Sequence, residues 1–270
     1  GKSEKVLRAL NSLAGEKICN PILLGYENIV REKIKELELD ELDDIPIYQP
    51  SRHPKYQEYA EVHYQKRQRK GVMAAESERL MSDPYYFASM AVDQGDADGL
   101  ISGSLMNYAS CVKPILEIIG TDKHKLASGL NIVLLKDKIF LFADTTMNID
   151  PTAEQLANIA MHAASVAKYF NLTPKIAMLS FSNFVGKQNS PKKMCRAAQL
   201  VRRIRPDFSV DGEMQADTAV KPKSVDRIFP FCEIQGGANI LIFPNLDAGN
   251  ISYKLVQQLG GAEVLGPFIM

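Results

Sequence analysis

At 270 residues, with 46% hydrophobic and 24% charged positions, the chain is long enough for one large core or two moderate ones, and its composition excludes disorder and fibrous repeats. Its 32 basic side chains balance 32 acidic ones, so bulk charge gives no reason to expect nucleic acid or an anionic membrane as partner. No apolar run approaches the roughly 20 residues that span a bilayer, and the scattered Cys19, Cys111, Cys195 and Cys232 suit reduced thiols in a cytoplasmic setting better than a disulfide framework or zinc site.

The first expected element is an amphipathic helix, Glu4 to Gly15, with Val6, Leu7, Leu10 and Leu13 on one side. Cys19 to Gly25 reads as a buried strand, Asn28 to Leu37 as a helix, and Ile45 to Tyr48 as a second short strand. Gly1-Lys2-Ser3 has the ending of a phosphate-binding loop but neither its first glycine nor its strand, so it carries no phosphate signal. From Gln57 to Leu80 the pattern is helical. Its basic run Lys66-Arg67-Gln68-Arg69-Lys70 reads as a solvated face, the alternative being a patch for a nucleotide phosphate or a partner domain. Asp83 before Pro84 starts a helix through Met90. Gly95 to Gly103, GDADGLISG, is expected to hold a strand at Gly99 to Ile101. It is not a calcium loop, because the first and twelfth ligand positions fall on Gln94 and Leu105. Ser102-Gly103 and Asn107-Tyr108 then turn into a helix from Cys111 to Ile119. Gly120-Thr121-Asp122 reads as the junction between a first domain, 1–120, and a second, 121–270.

Beyond the junction come strands at Ala127 to Leu135 and Lys138 to Ala143, joined by a Lys136-Asp137 turn. Asp144 to Thr152 leads into a helix ending at Phe170, capped either by Asp150 with Pro151 or by Thr152 with Gln155 as a capping box. His162 inside it reads as a packed histidine. Lys175 to Leu179 is a strand ending in Ser180-Phe181-Ser182-Asn183-Phe184, followed by a helix from Pro191 to Arg205. Phe208 to Val210 leads into Asp211-Gly212-Glu213-Met214-Gln215-Ala216-Asp217. Asn239 to Phe243 is the next buried strand. The turn residues Asn245, Asp247 and Asn250 form a polar loop, and a helix follows from about Ile251, with Lys254 one turn into it. Ala262 to Leu265 is a last short strand.

Strands alternating with helices argue for an α/β fold with a mostly parallel sheet, in which polar loops after strands gather at one edge. The exits at 102–108, 144–150, 180–183 and 245–250 are alike in offering Ser, Thr, Asn and Asp, a set suited to many hydrogen bonds with a large polar ligand. No two strong ligands are spaced for a metal, and there is no GxSxG elbow and no GxGxxG. These residues describe a cleft better than a reaction.

GDADGLISG, FADTTMNIDPTAEQLANIA, MLSFSNF, DGEMQAD and ANILIFPNLDAGNISYKLVQQLGGAEVLGP, in that order, resemble the phosphate acetyl/butyryltransferase family over nearly the whole chain. The resemblance implies two α/β domains, related to the isocitrate dehydrogenase fold, with coenzyme A in the cleft between them. Asn107-Tyr108, Ser182-Asn183-Phe184 and Phe229-Pro230-Phe231-Cys232 are more similar to the C-terminal domain of large NADP-dependent malic enzymes. That likeness implies an acyl-CoA-binding regulatory domain that helps build a homo-oligomer. Its catalytic malic-enzyme domains would lie elsewhere in the same chain, with NADP and a divalent metal outside this stretch. On either resemblance, acetyl-CoA or CoA would lie against Ser102, Tyr108, Asp144, Asn148, Ser182, Asn183, Asp211, Asn245, Asp247, Asn250 and Lys254. The transferases' Ser-Arg motif and its nearby Asp would follow Met270, and a first strand would precede Gly1, so no catalytic residue is carried onto this chain.

Overall fold

The computed structural model describes residues 3–103, 108–121, 126–221 and 227–270. The chain divides into two compact units, Gly1–Thr121 and Asp122–Met270.

In the first unit the apolar side of helix α1 (Glu4–Gly15) brings Leu7 to a small core. Val30 and Ile34 of α2 (Glu27–Glu36) join it, as do Leu23 of strand β1 (Leu23–Leu24) and Ile47 of β2 (Ile47–Tyr48). The two strands pair in parallel over two residues only. The longer strand expected at Cys19 to Gly25 does not form, since Pro21 has no N–H to give a ladder and Pro46 closes the other side at its start. Arg31 ties the connection between α2 and β2 together by donating to the carbonyls of Leu42 at 3.1 Å and Ile45 at 2.7 Å.

The continuous helical pattern of Gln57 to Leu80 is two helices, α3 (Tyr56–Arg67) and α4 (Ala74–Met81). The chain tightens over Gln68–Lys70 and stops at Gly71, whose φ of +87° is open to glycine and disfavoured for other residues. Asp83 caps α5 (Pro84–Asp93) by accepting from the Tyr85 amide at 2.8 Å, and α6 (Tyr108–Ile118) completes the bundle. Tyr59, Met81, Tyr86, Phe87, Met90 and Ile118 fill its core. No strand forms at Gly99 to Ile101. Ile101 stands 93% exposed, so the segment has no packed face to specify pairing.

The second unit is a six-stranded mixed sheet. Its strands are β3 (Gly129–Leu135), β4 (Lys138–Ala143), β5 (Lys175–Leu179), β6 (Ser209–Met214), β7 (Ile240–Ile242) and β8 (Glu263–Ile269), in spatial order β6-β5-β7-β4-β3-β8. Neighbours within β6-β5-β7-β4 are parallel, and β3 is antiparallel to both β4 and β8. Alternation along β5 divides the core. Ile176 and Met178 face helices α7 (Ala153–Tyr169) and α8 (Asn189–Ile204), while Ala177 and Leu179 face the opposite layer. That opposite layer includes Ala219 of the short helix α9 (Ala216–Val220), and Tyr253 and Val256 of α10 (Leu246–Gly260). Small residues on α7 and α8 (Ala157, Ala160, Ala164, Ala197 and Ala198, all buried) let the two helices approach closely on one side of the sheet. Of the two caps weighed for α7, the Thr152–Gln155 capping box forms, with both reciprocal hydrogen bonds present.

Two differences from the sequence reading bear on the site. Strand β6 runs through Asp211-Gly212-Glu213-Met214, so those residues lie inside the sheet. Helix α10 starts at Leu246, because the Asn245 side chain accepts from the Ala248 amide at 2.9 Å and caps it there. Asp247 and Asn250 are therefore residues of its opening turns, and Lys254 lies more than one turn further along.

Candidate functional site

Because β4, β5, β6 and β7 run the same way, their exits meet at one edge of the second unit. The exits are 144–150 after β4, 180–186 after β5, Gln215 after β6 and 243–246 after β7. In a parallel sheet this is the edge where ligands bind.

The β4 exit is organised by Asp144, which is buried. Its carboxylate accepts from the amides of Gly129 (3.0 Å), Thr146 (2.9 Å), Met147 (3.2 Å) and Asn148 (2.9 Å), and from Asn148 Nδ2 (2.5 Å). These bonds curl 144–148 into a fixed turn, so Asp144 shapes the edge through the backbone. Asn148 also donates to the Ala127 carbonyl at 3.0 Å, which ties the turn to the entry of β3.

The β7 exit is locked to the same turn. Asn250 Nδ2 donates to the Thr145 carbonyl at 3.0 Å, and the Leu246 amide donates to the Ile149 carbonyl at 3.0 Å. The two backbones approach so closely that a Cβ on Gly249 would stand 2.2 Å from the Asp144 carbonyl oxygen. Asn245 and Asp247 are exposed at the start of α10, where the positive end of its dipole favours an anionic group.

The β5 exit is tied to the end of β6 by Glu213, a buried carboxylate that accepts from Ser182 Oγ at 3.2 Å and from the Gly186 amide at 2.8 Å. Asn183 and Gln215 exchange two hydrogen bonds: Asn183 Nδ2 donates to Gln215 Oε1 at 2.7 Å, and the Gln215 amide donates to Asn183 Oδ1 at 2.8 Å. Asp211 sits deeper, mid-strand and buried, pairing with Arg202 at 3.0 Å and accepting from the amides of Gly212 and Glu233. It braces β6 and does not stand at an exit.

The structure thus brings Asn148, Ser182, Asn183, Asn245, Asp247 and Asn250 to one edge and sets Asp144 beneath it. Lys254 is exposed further along α10. Ser102 and Tyr108 belong to the first unit, the first exposed in a strand-free segment and the second opening α6. Asn107 lies outside the described residues. Sequence reasoning passed over Glu213 and Gln215, since both sit in a stretch given no element of its own. The apolar Val210 and Met214 bracketing the stretch, both buried though in opposite layers of the sheet, are the signal that would have found them.

Burial, the largest cause, pushes the Cys195 thiol up from its ordinary value, and burial pushes Cys232 up to about 11, so neither is poised as a thiolate nucleophile. All four cysteines are unpaired. Among the described residues no group of three or more His, Cys, Asp and Glu side chains is placed to hold a metal ion.

The chain has counterparts among known proteins. A profile described as phosphate acetyl/butaryl transferase matches residues 1–270. The chain belongs to that family. It is 37% identical over 271 residues to a phosphate acetyltransferase of Bacillus subtilis (strain 168), a match spanning 100% of this chain and 83% of that protein. The phosphotransacetylase structure from Streptococcus pyogenes superposes with a TM-score of 0.91 at 35% identity, covering 99% of this chain and 82% of the other. An NADP-dependent malic enzyme of Rhizobium meliloti (strain 1021) is 33% identical over 274 residues. There the match takes in 100% of this chain but only 36% of the malic enzyme. The fold is accordingly that of the phosphotransacetylases.

Proposed function

We propose that the chain is a phosphate acetyltransferase, moving an acetyl group between coenzyme A and inorganic phosphate. The observation that carries this reading is the match with a phosphate acetyltransferase along the full chain, covering most of the relative as well. In the direction that makes acetyl-CoA, the thiolate sulfur of CoA attacks the carbonyl carbon of acetyl phosphate. The new C–S bond forms, the C–O bond to phosphate breaks, and phosphate leaves with the electron pair. A sheet edge lined with side-chain amides and hydroxyls and fixed from below by Asp144 and Glu213 supplies positioned donors for a polar ligand, with little reorganisation on binding. Ser182, Asn183, Asn148, Asn245, Asp247, Asn250 and Lys254 are the ligand contacts we assign in the second unit. In the first, the family likeness offers Ser102 and Tyr108. Asp144 and Asp211 serve as supports, since their oxygens are taken up by the protein's own donors. A cytoplasmic setting and self-association are consistent with this reading. No helix among the described residues is long and apolar enough to cross a membrane.

One observation favours a second reading: the malic enzyme match, which contains this whole chain within a much longer protein. On that reading the chain binds acetyl-CoA as a regulator of malate oxidation, and NADP and a divalent metal act on separate domains. Two measurements on the same preparation decide between them. Acetyl phosphate and CoA are mixed with the protein and thioester formation is followed by absorbance. Acetyl-CoA is then titrated in by calorimetry. Turnover supports the transferase. Binding heat without turnover gives the regulatory reading, and no heat with either CoA or acetyl-CoA defeats both.

A further inference from the structure

Helix α3 turns a partly polar side into the helical bundle. Tyr59, His63 and Arg67 recur every four residues on it and so share one face. His63 is fully buried, and the Arg67 side chain is 16% exposed. A leucine at either position would pack with no polar atom to satisfy, so the polar choice costs stability unless those atoms find partners.

The partners within the protein are incomplete. His63 Nδ1 lies 2.9 Å from Ser77 Oγ of α4, itself fully buried. Arg67 Nη2 reaches Glu117 Oε1 of α6 at a long 3.4 Å, while Glu117 Oε2 accepts from the Tyr86 hydroxyl of α5 at 2.5 Å. His63 Nε2 and Arg67 Nε are sealed from solvent and have no hydrogen-bond partner among the described residues. Among the described residues of the first unit they are the two buried side-chain atoms in that condition, and they stand one helical turn apart, where side chains are neighbours. Of the charged groups that act on His63, Glu117 acts most strongly and Arg67 next, so the three groups belong to one cluster.

The polarity of the cluster selects its occupant. Arg67 Nε only donates and Glu117 only accepts, whereas a neutral imidazole donates or accepts at Nε2 according to its tautomer. Burial, the largest cause, holds the His63 pKa below its ordinary value, which keeps the ring neutral at pH 7. An anion is repelled by Glu117 and a cation by Arg67. Lys66 is engaged with Asp93 and the Ile118 carbonyl, so it brings no free charge. A single water, with two donors and two acceptors, matches all three groups. We propose that one buried water binds between α3 and α6, accepting from Arg67 Nε, donating to Glu117 Oε1 and taking His63 Nε2 as its third partner. It completes a hydrogen-bonded chain from Ser77 through His63, the water and Glu117 to Tyr86. One chain then joins α4, α3, α6 and α5, and it does so independently of any ligand at the second unit's edge.

Two measurements on the full chain test it. A high-resolution crystal structure of the unaltered protein is expected to show a water within about 3.2 Å of both His63 Nε2 and Arg67 Nε. In solution, oxygen-17 relaxation dispersion counts long-lived buried waters, and Arg67→Met, which keeps the stem and removes the donor, is expected to lose one. A site without water, with Nε2 directed at the Tyr86 ring face as an N–H···π contact, overturns the proposal. A water touching only one of the two nitrogens overturns it as well, and so does an unchanged count in a folded Arg67→Met. If that variant does not fold, the structure of the unaltered protein still decides.

Discussion

The two units hold their carboxylates in different ways. In the second unit Asp144, Asp211 and Glu213 are buried and accept from backbone amides, so each fixes a stretch of main chain. In the first unit, apart from the exposed Asp83 that caps α5, the ties described run between side chains across helices. Lys66 pairs with Asp93 at 2.5 Å, Tyr86 donates to Glu117 at 2.5 Å, Arg67 lies 3.4 Å from Glu117, and Asp96 is held by Lys55 and Tyr59. Among the described residues of that unit the buried polar groups are His63, Ser77 and Ser89, none of them an acid. Amide-bound carboxylates shape loops, whereas side-chain pairs join elements already formed. A ligand edge needs the first kind, and the candidate site lies where that kind is concentrated.

If this contrast is sound, the largest loss comes from removing an amide-bound acid. Asp144→Ala strips the partner from four backbone amides and one side-chain amide at once, and the expected cost is about 3 kcal/mol or more. Urea unfolding followed by circular dichroism reads it. A loss within about 0.5 kcal/mol would mean that the turn is set by sequence-local preferences and that Asp144 is incidental.

Next comes the close approach of α10 to the β4 exit. In Gly249→Ala the new methyl would meet a backbone carbonyl at 2.2 Å, so the helix or the turn must shift. Overpacking of this sort costs about 1–3 kcal/mol. The same shift displaces Asn250 from Thr145, and CoA affinity is expected to fall alongside stability. Stability lost with affinity unchanged would separate the edge from the site.

Third is acidity, which probes the other unit. His63 is buried on α3. Its Nδ1 is 2.9 Å from Ser77 Oγ, and its ring meets Tyr86 edge-on with centroids 5.8 Å apart. Burial is the largest cause of its lowered pKa, with Glu117 and Glu76 opposing and Arg67 and Lys66 reinforcing. A histidine depressed in the folded state contributes nothing above the unfolded value of 6.5, where both states are neutral. As pH falls below it, the unfolded chain takes up a proton that the folded chain refuses. Stability then drops by about 1.4 kcal/mol per pH unit until the folded value is reached. Denaturant midpoints at pH 7 and 5 are expected to diverge, and His63→Leu to reduce the divergence. An equal divergence in His63→Leu would place the acid sensitivity elsewhere.

The sequence reading went furthest where periodicity and capping agree. Glu4–Gly15 and Lys175–Leu179 fall as expected, as does the Thr152 capping box, because apolar spacing and cap chemistry are local properties. It went astray where tertiary pairing decides. Gly99 to Ile101 has strand-like residues but no partner, and Cys19 to Gly25 keeps only two ladder positions. The start of α10 was missed because Asp247, Gly249 and Asn250 are good turn residues, and only the cap by Asn245 reveals the helix opening among them. At the candidate site, residue types at the strand exits pointed to the edge where β4, β5 and β7 end. Which acids line it and which support it depends on burial, and Asp144 and Asp211 became supports only once their amide partners were in place. The aromatic contact between Phe184 and Phe229-Phe231 joins segments that no local pattern connects.

The smallest effect belongs to a side-chain tie of the first unit that joins nothing but one turn of helix to the next. Arg8 donates to Glu4 at 2.9 Å on α1, with side chains 56% and 53% exposed. Such an i,i+4 pair contributes about 0.3–0.5 kcal/mol and is screened by salt. A double-mutant cycle of Glu4→Gln and Arg8→Gln is expected to give a coupling of that size at low ionic strength and almost none in 1 M salt. A coupling above about 1 kcal/mol that survives salt would break the contrast from the other side, because the first unit would then also rest on individual charged groups and the ranking of the two units would reverse.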